Sequence, residues 1–149
     1  MKGNPINIIC FGEILWDLLP DGPMPGGAPV NVAYHLKKLG QQPGIITRIG
    51  QDSRGKKLLE LLGTHHISTD MIQKDARYKT GVARAIPISA SASGSEDDQN
   101  MHYEIVAPAT WDYIAREPQQ EARLQEAGYF VFGSLAARSV ASRSTLFSY

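Results

Sequence analysis

The 149-residue sequence has a single cysteine, Cys10, no excess of either charge and no long apolar run. A lone cysteine cannot close an internal disulfide or build a cysteine-based zinc cluster. Fifteen lysines plus arginines balance fifteen aspartates plus glutamates, for a formal net charge of zero. That balance removes the electrostatic case for nucleic acid or an anionic membrane surface as a partner. No apolar stretch approaches the ~20 residues that a membrane span needs. The opening Met1-Lys2-Gly3-Asn4-Pro5 shows no small-residue cleavage site, so no secretory signal is expected. No Gly-Lys-Ser/Thr follows the glycine pair at 26–27, and no Gly-x-Gly-x-x-Gly occurs. A Walker A loop and a dinucleotide fingerprint are thereby excluded. The expectation is a protein of a reducing, cytoplasmic compartment.

What is present is enough to fold. Hydrophobic residues make up 42% and charged residues 20%, sufficient for the core of one domain. Residues 6–11 (INIICF) form a continuous β-branched and apolar run, as in a strand buried on both faces. Residues 14–19 are a second apolar run, interrupted by Trp16-Asp17 and closed by the turn signal Pro20-Asp21-Gly22-Pro23. Gly26-Gly27-Ala28-Pro29 opens a helix with Val32, Leu36 and Leu39 at helical spacing and Gly40 at its C′ position. Residues 44–49 read as a strand, and Asp52 or Ser53 caps a helix carrying Leu58, Leu59, Leu61 and Leu62. This β–α–β–α order predicts a parallel sheet with helices on its faces. Residues 80–88 and 101–107 read as strands joined by a polar, low-complexity connection at 89–100, an antiparallel hairpin projecting from the main sheet. A helix at 117–127, a buried strand at 129–135 and a helix from 139 complete the pattern. An apolar strand so near the end of the sequence calls for neighbours on both sides, so the chain reads as part of something larger.

Three places hold candidate chemistry. The glycine pair at 26–27 lets backbone approach a ligand at a helix N-terminus, or simply makes a tight capped turn. Asn31, one turn in, offers a donor and an acceptor to a polyhydroxylated ligand. Asp17 lies inside the apolar run ILWDLL, where a carboxylate either meets a ligand or faces solvent. Glu13 follows the first strand, at the end where ligands gather in open α/β sheets, or is a surface charge. His35, His65, His66 and His102 have no metal-ligand spacing, the pair 65–66 reads as turn, Lys37-Lys38 as a solvated helix face, and Cys10 as a small core residue.

Gly12-Glu13-Ile14-Leu15-Trp16-Asp17, Gly26-Gly27-Ala28-Pro29-Val30-Asn31-Val32-Ala33, Leu39-Gly40 and Ile49-Gly50-Gln51-Asp52-Ser53-Arg54-Gly55 occur in that order. Together they resemble the amino-terminal half of a ribokinase-like (PfkB-type) sugar kinase, and the opening FGEILWDLLPDG is most similar to bacterial fructokinases. The resemblance implies a three-layer α/β/α fold with a small β lid, with the carboxyl-terminal half of the fold missing. Residues 1–149 would be the amino-terminal part of one such domain, with lid strands within about 13–24 and 71–108. It implies a sugar substrate phosphorylated with ATP and Mg²⁺. Asp17 would bind sugar hydroxyls, Gly26, Gly27 and Asn31 would complete that side of the pocket, and Ala83 and Tyr103 would face it from the lid. Lid strands of this family often pair between subunits, so a homodimer is implied. No acidic residue occurs in Gly133-Ser134-Leu135, which places fructose or another hexose ahead of ribose. The family's second signature, an Asp-Thr-x-Gly-Ala-Gly-Asp-like stretch holding the general base and the phosphate cradle, is absent. The chain is therefore expected to lack activity alone. A non-catalytic sugar-binding or dimerising module, or a truncated product without function, are the other readings.

Overall fold

The computed structural model describes residues 7–87 and 101–149. β1 (Asn7–Phe11), β4 (Gln42–Gly50), β5 (Ile72–Asp75) and β8 (Tyr129–Phe132) form a parallel sheet in the order β5-β4-β1-β8. α1 (Ala28–Lys38) and α2 (Ser53–Thr64) cover one face. Against the other lie two 3-10 turns (Thr110–Tyr113 and Leu135–Arg138), α3 (Pro118–Gln125) and α4 (Val140–Ser148). The alternation of side chains along β1 explains these three layers. Ile8 and Cys10 pack with Val30, Ala33, Leu58 and Leu62, whereas Ile9 and Phe11 pack with Trp111, Ile114 and Leu146. Cys10 is fully buried, and that burial pushes its thiol up to about 11, so it is an inert core residue.

β2 (Leu15–Leu19), β3 (Gly22–Gly26), β6 (Gly81–Pro87) and β7 (Met101–Ile105) form a second sheet in the order β3-β2-β6-β7. β6 and β7 are antiparallel, as the sequence implies, but β6 also pairs in parallel with β2, so the hairpin belongs to a separate sheet. The polar connection at 89–100 lies outside the described residues.

Several elements differ from expectation. Only Pro20 and Asp21 turn, and the proline-containing Gly22–Gly26 is a strand at the sheet edge, where missing N–H groups do no harm. α1 buries Pro29, Val30 and Ala33 rather than a stripe through Val32 and Leu39, which are exposed. Small residues allow the helix to lie close to the sheet, and that sets the buried face. β5, four residues long with a charged Lys74 and Asp75, carries too little periodicity to be read from sequence. The strand at 129–135 is shorter and not buried: β8 pairs only with β1, and Tyr129 and Phe132 stand exposed at the sheet edge.

Candidate functional site

One carboxylate anchors the start of β6 to the end of the main sheet. Asp52, the N-cap of α2, accepts the Gly55 N–H at 2.9 Å, the Thr80 N–H at 2.9 Å and the Thr80 hydroxyl at 2.8 Å. The Thr80 hydroxyl oxygen in turn accepts the Gly50 N–H at 3.0 Å. Desolvation raises the Asp52 pKa, but these hydrogen bonds outweigh it and hold the carboxyl below its ordinary value. Thr80 is thereby fixed between the end of β4 and the start of β6. The Trp16 indole N–H donates to the Arg54 carbonyl at 3.1 Å and ties β2 to the same corner. At the edge of the main sheet Arg48 pairs with Asp75 at 2.7 Å. Asp75 also accepts the Arg77 and Tyr78 N–H groups, and despite desolvation its carboxyl is held low.

From this corner β2 carries Asp17 into the centre of the second sheet. Its register partners are Met24 on β3 and Ala83 on β6, and Ala83 pairs with Ile105 on β7. Paired residues project to the same face, so Met24, Asp17, Ala83 and Ile105 form one cross-strand row. Ala83 is buried in that row. The Asp17 carboxylate lies over Gly26: a Cβ there would fall 2.2 Å from Oδ2 and 3.1 Å from the Leu15 side chain. Glycine at 26 is what gives the carboxylate room. Burial alone pushes the Asp17 carboxyl above its usual range, with no lowering interaction against it. A partly desolvated carboxylate of this kind is suited to accept from hydroxyl donors.

Gly27 is the N-cap of α1 at φ +114°, and a Cβ there would fall 2.4 Å from the Glu13 carbonyl oxygen. Only glycine combines that backbone angle with that approach. Asn31 follows one turn on, its N–H donating to the Gly27 carbonyl at 3.0 Å and its side chain exposed. Tyr103 is exposed on β7 opposite Ala85. It shares the Asp17 face but stands two strands away, about 10 Å across the sheet.

Glu13 is the residue that sequence reasoning left between ligand contact and surface charge. It is only 3% exposed, and its Oε1 accepts the Ala28 N–H at 3.0 Å, closing the N-terminus of α1. Oε2 is buried without a partner, facing Gly133 after β8, where a Cβ would lie 3.3 Å away. Nothing in a local pattern marks this role, because the helix it serves begins fifteen residues later. His65 and His66 end α2 in a turn, as expected, and no cluster of three or more metal-ligating side chains occurs among the described residues.

Comparison with known proteins bears on these observations. The family model described as pfkB family carbohydrate kinase matches residues 23–145. A sugar kinase of Pyrococcus horikoshii, described as uncharacterized, is 29% identical over 151 residues, covering 93% of this chain and 46% of its own length. Its structure in complex with ATP superposes with a TM-score of 0.76 at 27% identity, over 95% of this chain and 47% of that one. The fructokinase of Klebsiella pneumoniae is 36% identical over 75 residues, 47% of this chain and 24% of its own length. The Halothermothrix orenii fructokinase shares the fold, with a TM-score of 0.77 at 22% identity over 96% of this chain and 51% of that one. The chain thus spans about half the length of the Pyrococcus protein. The architecture is that of ribokinase-like sugar kinases, incomplete relative to them.

The N-termini of α1 and α2 each carry an internal carboxylate where a nucleoside triphosphate would place a phosphate. Phosphates bind at helix N-termini through free N–H groups, but α1 and α2 begin on internal carboxylates, Glu13 and Asp52. A hollow of about 480 Å³ beside Lys56 and Lys74 is lined by that same Asp52.

Proposed function

We propose that this chain, which belongs to the pfkB family of carbohydrate kinases, carries the sugar-binding half of a fructokinase-type enzyme that uses ATP and Mg²⁺. The observation that carries the reading is the Asp17 carboxylate, half-buried over Gly26 in the middle of a sheet face and pushed above its ordinary range by that burial. In this reading Asp17 accepts two sugar hydroxyls and orients the one to be phosphorylated. Gly26 and Gly27 bring backbone against the ring, Asn31 donates and accepts at its rim, and Ala83 supplies an apolar floor. Tyr103 closes over the sugar from the outer strand of a lid formed by the second sheet, within 13–24 and 71–108. Fructose is the favoured substrate. Phosphoryl transfer is chiefly positioning and charge neutralisation, and the chain contributes positioning of the acceptor only. It holds no Asp-Thr-x-Gly-Ala-Gly-Asp stretch, and α1 and α2 each begin on an internal carboxylate, so we expect no turnover from it alone. That same observation favours, as a second reading, a sugar-binding module without chemistry of its own.

Met24, Tyr103 and Ile86 are exposed on the second sheet, whose edges β3 and β7 each have one strand partner. They support pairing of two lids in a homodimer, which sedimentation of wild type against Tyr103→Glu tests. Among the described residues no helix is long and apolar enough to cross a membrane. With its buried free cysteine, the reading includes a cytoplasmic setting. The functional test is thermal unfolding with and without D-fructose, beside ADP release from Mg-ATP. A fructose-dependent rise in Tm without ADP release is expected. ADP release that Asp17→Ala leaves unchanged would sink the assignment.

A further inference from the structure

We propose that the hollow between the carboxyl-terminal ends of α1 and α2 binds a phosphate group, free or carried on a small ester. It lies at the opposite end of α1 from Gly27 and Asn31. None of its residues belongs to the sugar-site reading, and the two stand or fall separately.

As sequence, Lys37-Lys38 is a solvated helix face and His65-His66 a turn. The fold brings the two pairs together, and with Tyr34 they line one hollow of about 300 Å³. That lining contains no carboxylate, although the chain as a whole balances its charges. Lys38 Nζ lies over the Tyr34 ring at 4.7 Å, and the His65 ring packs edge-to-face with it at a centroid distance of 4.8 Å. The Lys37 ammonium reaches only the Gln42 side chain, at 3.2 Å. Among the described residues neither lysine and neither histidine has a carboxylate partner.

Helix capping does not account for these groups. In α1 the Gly40 N–H donates to the Lys37 carbonyl and the Gln41 N–H to Leu36; in α2 the His66 N–H donates to Gly63 and the Ile67 N–H to Leu62. Both ends are the same backbone closure, the Schellman motif, so the last carbonyls are met without side chains. The two ends differ in the residue that follows the cap. In α1 it is Gly40 at φ +81°, whereas in α2 it is His66 at φ +54°, the one non-glycine residue at positive φ among the described residues. Glycine takes that conformation without strain and histidine does not, yet here an imidazole is held in it and lines the hollow. The helix dipoles do not decide the sign either. Each carboxyl-terminal end carries about half a negative charge, so two ammonium groups exceed the two ends by about one unit. The imidazoles add N–H donors whether protonated or neutral. The hollow thus accepts an anion where two bare helix ends would repel it. Phosphate offers several acceptor oxygens to such donors, and the volume suits a small molecule rather than a polymer.

The test titrates the whole chain with sodium phosphate at fixed pH and ionic strength, with sodium acetate as control, while recording the imidazole resonances. Phosphate is expected to shift His65 and His66 saturably and to leave His102, on β7, unmoved. Lys38→Gln, a change at an exposed position, is expected to weaken binding about tenfold. Lys74→Gln, an ammonium outside the hollow, keeps the wild-type affinity. Melting of each variant without phosphate separates lost binding from lost fold. Shifts that grow linearly with phosphate, equal those from acetate, or persist unchanged in Lys37→Gln/Lys38→Gln overturn the proposal. Should Lys38→Gln not fold, saturation by phosphate and not by acetate in wild type decides. Fructose 6-phosphate then separates the two sources, and either result upholds the site: tighter binding than phosphate identifies an ester, equal or weaker binding the free anion.

Discussion

The aspartates of the two sheets are shifted in opposite directions. In the parallel sheet and its connections, Asp52 and Asp75 are satisfied by N–H groups, a hydroxyl and a guanidinium, and both carboxyls are held low. In the second sheet partial burial pushes the half-buried Asp17 carboxyl up, with no lowering interaction against it. The first arrangement ties backbone together; the second leaves a half-buried acceptor on a sheet face. Packing follows the same division. Ile9, Phe11, Ile45 and Ile46 at the centre of the parallel sheet are fully buried and Tyr129 and Phe132 are exposed at its edge, whereas the other sheet buries Leu15, Val82 and Ala83 and exposes Met24, Ile86 and Tyr103. The proposed sugar site lies on this second sheet.

The contrast is broken most severely from the core side. Trp111 is fully buried and carries Arg138 over its ring at 3.9 Å. Trp111→Ala is expected to cost about 3–5 kcal/mol in urea unfolding, and Tyr103→Ala to stay within about 0.5 kcal/mol. Equal losses would erase the distinction between the sheets. The corner joining them comes next. A Cβ on Gly55 would fall 2.1 Å from the Gly50 carbonyl oxygen, a backbone atom that cannot swing away. Gly55→Ala is expected to cost about 1–3 kcal/mol, while Gly63→Ala on the same helix, with open space around it, gains a few tenths to about 1 kcal/mol.

Gly26→Ala sharpens the comparison, because its added methyl meets only the end of the Asp17 side chain and Leu15. Stability is expected to change by less than about 1 kcal/mol, since the carboxylate can rotate, whereas fructose affinity falls about tenfold or more. Loss of both together, measured by calorimetry and melting, would make Gly26 a structural glycine only.

The smallest effect is the pH dependence, and its sign separates the two kinds of aspartate. For Asp52 and Asp75, with lowered folded values, the stabilisation is complete above the unfolded carboxyl value near ~3.9 and is lost as pH falls through the folded values. For Asp17, with a raised folded value, the penalty is absent below ~3.9 and grows as pH rises through the folded value. Urea midpoints between acid and neutral pH should therefore show Asp52→Asn less stable than wild type, and Asp17→Asn more stable, at neutral pH. Both differences should shrink in acid. An Asp17→Asn variant that is less stable at neutral pH would contradict the assignment of a carboxyl raised by burial.

Much of this was legible in the sequence because its signals are local. The apolar run at 6–11, the glycine pair before Pro29 and the cap at Asp52 each announce an element within a few residues. What stayed hidden depends on distant partners. Glu13 reaches across to Ala28, Asp52 to Thr80 and Asp112 to Arg138 at 2.7 Å, and no periodicity encodes such pairs. β8 read as a buried strand because YFVF is apolar throughout, yet composition cannot tell whether a neighbour is present on each side. The face of α1 was misread for a related reason: helical spacing finds a stripe, but the close approach to the sheet selects Val30 and Ala33 over Val32.

The most direct test of the account is calorimetric titration of the wild-type chain and Asp17→Asn with D-fructose at neutral pH, with melting recorded for both. The account predicts saturable binding by wild type, and an Asp17→Asn chain that melts at the same or a higher temperature but binds no fructose. Fructose binding of equal strength by the two chains would contradict it, and would move the sugar site away from the second sheet.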